Sequence, residues 1–309
     1  MDPTLRNIVR DAAAVLQAAG VDNAGNEAYY LLTKHIPCTR GDLLTGRRIP
    51  FDDSALAAFR EDLEKRKSGV PLQYLLGKWE FYGAEFITLP GVLIPRPETE
   101  QLVDLALPCL SAADRADVRD ARGKYLRGAA KTLAITRPRV LDLCTGSGCV
   151  GLTLARLAPD ADVTLLDISA AAIDAAGKNA EMQGLTERTH IVQGDILQGG
   201  GVLFPPSSFD LITCNPPYIK TKDLKTLPAE VKNEPVSALD GGTDGLTFYR
   251  CLAQTWGDVL SPGGAMIAEA GADTAAAAAE LFIQNQWEEV KLHRDLENRP
   301  RMITARRKK

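Results

Sequence analysis

At the start of the chain, apolar residues recur every three or four positions. Leu5, Ile8, Val9, Ala12, Val15, Leu16 and Ala19 mark one face of a helix that stops at Gly20. The same spacing predicts a second helix over residues 23–36, ended by Pro37. A third runs from the capping residues Asp52-Asp53-Ser54 through Leu56, Phe59 and Leu63 to Lys67, before Ser68-Gly69. The three read as one small bundle. From Trp79 to Ile94 the texture changes: aromatic and β-branched residues around Gly83 and Pro90-Gly91 predict a β-hairpin. Pro95 and Pro97 stop it, and Glu98 to Leu107 returns to helical spacing. Residues 111–138 are charged and alanine-rich, and read as a surface helix or a linker insertion.

After Arg139 short apolar runs alternate with helical patterns. Strands are predicted at Val140–Leu143, Val163–Leu166, Ile191-Val192, Phe209–Cys214 and Ala265–Ala268. Helices are predicted at Val150–Leu157 and at Ala170–Met182, the latter capped by Gly184. This alternation implies an α/β fold, a doubly wound parallel sheet. Trp287–His293 and Met302–Ala305 are strand-like with no full helix between them, so they are expected as an antiparallel pair at the sheet edge. The expected organisation is an N-terminal helical domain over 1–77, a β-hairpin linker over 78–97 and an α/β domain over 98–309.

Composition narrows the picture. The chain of 309 residues is 45% hydrophobic and 25% charged, as in a soluble globular protein of about two domains. Its formal net charge of −4 is a poor balance for a nucleic-acid binder, and direct nucleic-acid binding is not expected. Six scattered cysteines without a C-x-x-C pair, and three histidines far apart, predict neither disulfides nor a metal site. Arg6, Arg10 and Asp11 interrupt any leader-like apolar run, and no stretch of about 18 apolar residues would span a membrane. A cytoplasmic monomer is the expectation.

Three stretches carry candidate chemistry. Asp142-Leu143-Cys144-Thr145-Gly146-Ser147-Gly148 follows the first strand of the sheet and opens a helix, and its glycines permit a tight turn and close approach of a ligand. Asp167, nineteen positions after Gly148, ends the second strand, where an acid typically accepts the hydroxyls of an adenosine ribose. Gly151 formally completes a dinucleotide pattern. S-adenosylmethionine ranks above NAD because an anion at Asp142 suits a cationic amino acid better than a pyrophosphate; a bare tight turn is the plain alternative. Asp195, after the third strand, is placed to meet an adenine amino group with Ile196 packing on the ring, or simply to cap a turn. The second stretch, Asn215-Pro216-Pro217-Tyr218, ends a buried strand in a stiff loop. The Asn oxygen and a proline carbonyl can accept hydrogen bonds from a planar NH2 group while Tyr218 offers a ring face, which is the signature of an enzyme that methylates an amide or amine nitrogen. Third, Arg96 sits between two prolines with Glu98 and Glu100 following at a helix start. The loop Asp240-Gly241-Gly242-Thr243-Asp244-Gly245 reads as a lid or a plain connection.

Taken in order, Pro71–Gly77, Ile94–Glu100, the glycine loop, Asn215–Tyr218, Glu234-Pro235, Gly241–Leu246 and Arg294-Asp295-Leu296 resemble the HemK/PrmC family, the release-factor glutamine methyltransferases, over essentially the whole chain. The resemblance implies a class I S-adenosylmethionine-dependent methyltransferase with a Rossmann-like sheet, whose N-terminal domain recognises the substrate. It implies methyl transfer to the side-chain amide of the glutamine in the Gly-Gly-Gln motif of class 1 peptide chain release factors. By position, the cofactor contacts would be Asp142, Cys144, Thr145, Gly146, Ser147, Gly148, Asp167, Asp195, Ile196 and Asn215. Catalytic and substrate contacts would be Asn215, Pro216, Pro217 and Tyr218, with Arg96 and Glu98 on the substrate side. Three departures stand out: Cys144 replaces a glycine, Glu269-Ala270-Gly271 lacks the glutamine expected nearby, and the 111–138 stretch is long. The alternatives are a DNA adenine-amine methyltransferase using the same loop, and a non-catalytic cofactor-binding module that docks on release factors.

Overall fold

In a computed structural model of the chain, which describes residues 4–46, 50–110 and 137–309, the first helix begins where the Thr4 hydroxyl accepts the Asn7 N–H. Two compact units are present: residues 1–78 together with 228–233, and residues 79–227 together with 234–309.

In the first unit, α1 (Leu5–Ala18) buries Leu5, Ala12 and Leu16, and α2 (Ala24–His35) buries Ala24, Ala28, Leu31 and Leu32. The short α3 (Arg40–Thr45) opens with a capping box formed by Thr39 and Asp42. Asp52 caps α4 (Asp53–Lys67), which turns Phe59 and Leu63 inward, and α5 (Leu72–Leu76) follows. Helices as brief as α3 and α5 give no periodicity to read. Arg66 on α4 is 1% exposed and forms ion pairs with Glu27 and with Glu230. Glu230 belongs to the distant stretch 228–233, so this unit is not contiguous in sequence.

The second unit opens with a hairpin of β1 (Lys78–Phe81) and β2 (Ala84–Ile87). Its two-residue turn, Tyr82-Gly83, has φ of 50° and 72°, the left-handed pair such a turn requires. The hairpin lies almost entirely in this unit, where the sequence suggested a separate linker, and it ends at Ile87 rather than Ile94. After α6 (Glu100–Leu110), residues 111–136 of the anticipated insertion lie outside the described residues.

The main sheet follows: β3 (Arg139–Leu143), α7 (Cys149–Leu157), β4 (Asp162–Asp167), α8 (Ala170–Met182), β5 (Thr189–Gln193), α9 (Gly200–Leu203), β6 (Phe209–Cys214), α10 (Ala229–Lys232, with the first unit), α11 (Thr247–Thr255), β7 (Leu260–Glu269), α12 (Ala275–Gln284), β8 (Glu288–Arg294) and β9 (Pro300–Arg306). Strand order is β5-β4-β3-β6-β7-β9-β8, parallel through β7, with β9 antiparallel to both its neighbours. The predicted edge pair is therefore present. Val140 and Leu211 belong to one core, Leu141, Leu143 and Ile212 to the other, so β3 and β6 are buried on both faces of the sheet. The chain reverses its direction of winding between β3 and β6, and the crevice beyond their carboxyl ends is where such sheets hold ligands.

Candidate active site

Three residues of the loop after β3 have left-handed backbones: Cys144 (φ 54°), Gly146 (56°) and Gly148 (81°). A side chain in that region costs free energy, so the cysteine standing for a glycine is a strained choice. Gly151 serves another purpose. A Cβ there would lie 2.2 Å from Leu165 Cδ2, so this glycine lets α7 press against β4.

Asp142 holds the loop from beneath. It is 2% exposed; one oxygen accepts Thr145 Oγ1 at 2.6 Å and the Gly151 N–H at 3.1 Å, and the other accepts Thr213 Oγ1 at 2.7 Å. Both oxygens are thus engaged inside the fold, so the carboxylate expected to face a ligand's ammonium group also ties the loop to β6 and α7. Burial pushes its pKa up from 3.8 to about 6. Between those values the folded chain holds more protons than the unfolded chain, so the stability linked to this group is full at low pH and is lost as pH rises through about 6. The swing is roughly 3 kcal/mol. Asp142→Asn does not titrate. The wild-type unfolding free energy, measured relative to that variant in denaturant, should fall by about this amount from about pH 4 to about pH 7. A constant difference would show that the carboxyl titrates as it does in water.

At the end of β4, Asp167 Oδ2 accepts the Gly146 N–H and Oδ1 the Ser169 N–H, both at 2.9 Å. Burial raises its pKa against those two donors. A carboxylate has about four acceptor positions, so Asp167 keeps capacity for two hydroxyls. Asp195 Oδ1 accepts the Leu197 N–H at 2.9 Å, capping the turn Ile196–Gln198. Cys144, Gly146, Asp167, Asp195, Ile196, Asn215 and Pro217 all line one cleft of about 490 Å³. Val92, Ile168, Val236 and Phe248 complete its apolar wall and were not anticipated.

Asn215 follows β6 directly. Its Nδ2 donates to Thr99 Oγ1 at 3.2 Å, and Thr99 Oγ1 donates to Glu269 Oε2 at 2.6 Å. Tyr218 Oη donates to the other Glu269 oxygen at 3.3 Å. Glu269 is 1% exposed; burial raises its pKa, opposed by Thr99, Arg301 and Tyr218. Burial likewise raises the Tyr218 phenol well above its usual range. The backbone of Tyr218 is covered by the 240–245 loop, which reads in the sequence as a lid or a plain connection. Ile219 N–H bonds to Leu239 O at 2.9 Å and Gly241 N–H to Ile219 O at 2.8 Å, so this loop is knit to the Asn-Pro-Pro-Tyr segment.

Other expected residues are placed around this cleft. Thr145, Ser147 and Gly148 are buried members of the loop, and Pro216 and Tyr218 adjoin the cleft-lining Asn215 and Pro217 in the chain. Arg96 is ion-paired to the buried Glu234, whose second oxygen accepts the Ile94 N–H at 3.1 Å. Glu98 is exposed and opens on a different recess of about 300 Å³ beside Gln101, Asp104 and Arg294. Thr99 and Glu269 were missed as site residues. The available signal was a charged residue ending the otherwise apolar run of β7. Among the described residues no cluster is arranged to hold a metal ion, and no helix is long and apolar enough to cross a membrane.

A parallel sheet with an antiparallel β9, a glycine loop beneath a ribose-type acid and an Asn-Pro-Pro-Tyr turn together define a class I methyltransferase. The family profile described as PrmC N-terminal domain matches residues 7–77, and that described as Methyltransferase small domain matches residues 128–238. A release factor glutamine methyltransferase of Moorella thermoacetica is 36% identical over 278 residues, covering 90% of this chain and 89% of that protein. One of Geobacter sulfurreducens is 36% identical over 280 residues, covering 90% and 88%. A solved structure of a release-factor-specific protein-(glutamine-N5) methyltransferase from Alicyclobacillus acidocaldarius is 26% identical, with a TM-score of 0.40, over 72% of this chain and 100% of that one. The chain belongs to the release factor glutamine methyltransferase family.

Proposed function

We propose that this protein methylates the side-chain amide nitrogen of the glutamine in the Gly-Gly-Gln motif of class 1 peptide chain release factors, using S-adenosylmethionine, as a cytoplasmic monomer. The observation that carries the reading is that Asn215 and Pro217 line the same cleft as Gly146 and Asp167, so an amide-binding turn and a nucleoside-type site share one space.

The residues fit the cofactor. A Cβ on Gly146 would meet nothing within 4 Å, which leaves a bare backbone cradle at the cleft. Asp167 has free lone pairs for the ribose hydroxyls, Asp195 can accept from the adenine amino group, and Ile196 offers an apolar surface for the ring. When bound, S-adenosylmethionine supplies an electrophilic methyl group on a sulfonium.

The chain's own part is to orient a poor nucleophile, since an amide lone pair is delocalised into its carbonyl. Asn215 Oδ1 and the Pro216 carbonyl accept the two N–H bonds of the substrate amide. This aims the nitrogen and favours pyramidal character as its lone pair is used. Tyr218 gives the planar group a ring to lie against. Catalysis then comes from positioning and preorganised dipoles. Arg96, steadied by Glu234, and Glu98 contact the protein substrate beyond its glutamine, and the N-terminal helical unit recognises the body of the release factor.

The deciding experiment is transfer of labelled methyl from S-adenosylmethionine to purified release factor, to its Gly-Gly-Ala variant and to duplex DNA. Label on the wild-type factor alone is the expected result. Label on DNA would replace the reading with adenine-amine methylation, and cofactor binding without transfer would leave a docking module.

A further inference from the structure

We infer that Thr99 and Glu269 are positioning residues, a two-bond relay that fixes the Asn215 amide with its oxygen presented to the substrate glutamine. The inference rests on the glutamine reading above and deepens it.

A primary amide is nearly symmetric in shape, so packing alone does not choose between its oxygen and its NH2. The choice decides recognition here. With Oδ1 presented, Asn215 accepts from the substrate amide; turned over, it would set NH2 against NH2, donor facing donor. The structure contains a reason for one orientation. Register pairs Cys214 of β6 with Ala268 of β7, which places Asn215 and Glu269 next to each other at the carboxyl ends of adjacent strands. Thr99, in the turn before α6, bridges them. Its hydroxyl has one hydrogen, and that hydrogen goes to Glu269 Oε2 at 2.6 Å. An ionised carboxylate only accepts, so Thr99 Oγ1 can only accept from its other neighbour, and Asn215 must offer Nδ2. Thr99 is 2% exposed, and water has little access to replace either bond. Through Tyr218 Oη on its second oxygen, the same carboxylate grips both ends of the Asn-Pro-Pro-Tyr turn.

The relay predicts a loss specific to the substrate glutamine. Thr99→Val keeps the shape and removes the hydroxyl; Thr99→Ser restores it. Binding is measured by calorimetry for wild-type release factor and for its Gly-Gly-Ala variant. The wild-type enzyme should favour the glutamine-bearing factor. Thr99→Val should reduce that preference by about tenfold, the effect of one lost hydrogen bond, while affinity for the Gly-Gly-Ala factor stays as it was. Thr99→Ser should recover the preference. In single-turnover methyl transfer, Thr99→Val should add nothing in an Asn215→Ala background, since the group it orients is already gone. Equal weakening toward both factors, or a full additional loss on top of Asn215→Ala, would overturn the relay and leave Thr99 a structural residue. A wild-type enzyme that methylates the factor yet shows no preference in Thr99→Val different from its own also overturns it. Absence of any methyl transfer by the wild-type enzyme would overturn the substrate reading, and the relay with it.

Discussion

Asn215→Ala should lower kcat for methyl transfer by roughly 100- to 1,000-fold, the range found when one preorganised dipole is removed from a reacting centre. The affinity for S-adenosylmethionine should change by no more than about threefold. The asymmetry follows from where the groups stand. Asn215 lies beyond β6, whereas Gly146, Asp167, Asp195 and Ile196 stand at or beyond the ends of three other strands, where Gly146, Asp167 and Asp195 keep their own hydrogen bonds without it. Alanine also leaves the two prolines that stiffen the turn. The measurement is a pair: single-turnover rate with saturating cofactor, and cofactor affinity by calorimetry. Equal losses in both would show that Asn215 binds the cofactor and does not orient the amide.

Gly241→Ala should be nearly as damaging to turnover, although Gly241 is not itself part of the cleft wall. A Cβ at this position would lie 2.7 Å from Tyr218 Cα, 2.8 Å from Tyr218 C and 2.9 Å from the Pro217 carbonyl oxygen. All three are backbone atoms, and none can rotate away as a side chain could. Pro216 and Pro217 further limit how the turn can yield. The substitution therefore shifts the amide-binding turn against the loop that covers it. A displacement of about 1 Å at a positioning group costs on the order of 100-fold in rate. Cofactor affinity should hold, because Asp167 and Asp195 bond to the Gly146 and Leu197 N–H groups and to neither segment of the clash. Gly201→Ala provides the control: its Cβ would meet nothing within 4 Å, and activity should be unchanged. Wild-type turnover in Gly241→Ala would mean that the loop gives way and the turn does not.

The parts of this enzyme that were legible in its sequence are those whose signals are local. The apolar runs of β3, β4 and β6, the glycines after β3, Asp167 at its fixed distance, and the Asn-Pro-Pro-Tyr turn each declare themselves within a few residues. What escaped is held together by distant pairs. The direction of Asp142 is set partly by Thr213, 71 positions away, and a sequence offers no sign that both carboxylate oxygens are already engaged. Thr99 and Glu269 are separated by 170 positions and meet because α6, which begins just after Thr99, packs against β7. Glu98 and Thr99 are adjacent in the chain, yet one is exposed at another recess and the other is buried beside Asn215. The three glycines of the loop pattern look alike in the sequence. Two of them shape the turn, and Gly151 is there for helix-to-strand contact.

The stretch 228–233 has a practical consequence for anyone who would take this protein apart. Because Glu230 pairs with the buried Arg66, the N-terminal unit is assembled from two pieces of chain that lie about 150 positions apart. Cutting the gene after residue 78 yields neither half intact. The shorter product keeps Arg66 and lacks one of the two carboxylates that balance it. The longer one carries a six-residue fragment of the missing partner in its middle. For this enzyme the separable building block is a set of residues, not a length of polypeptide.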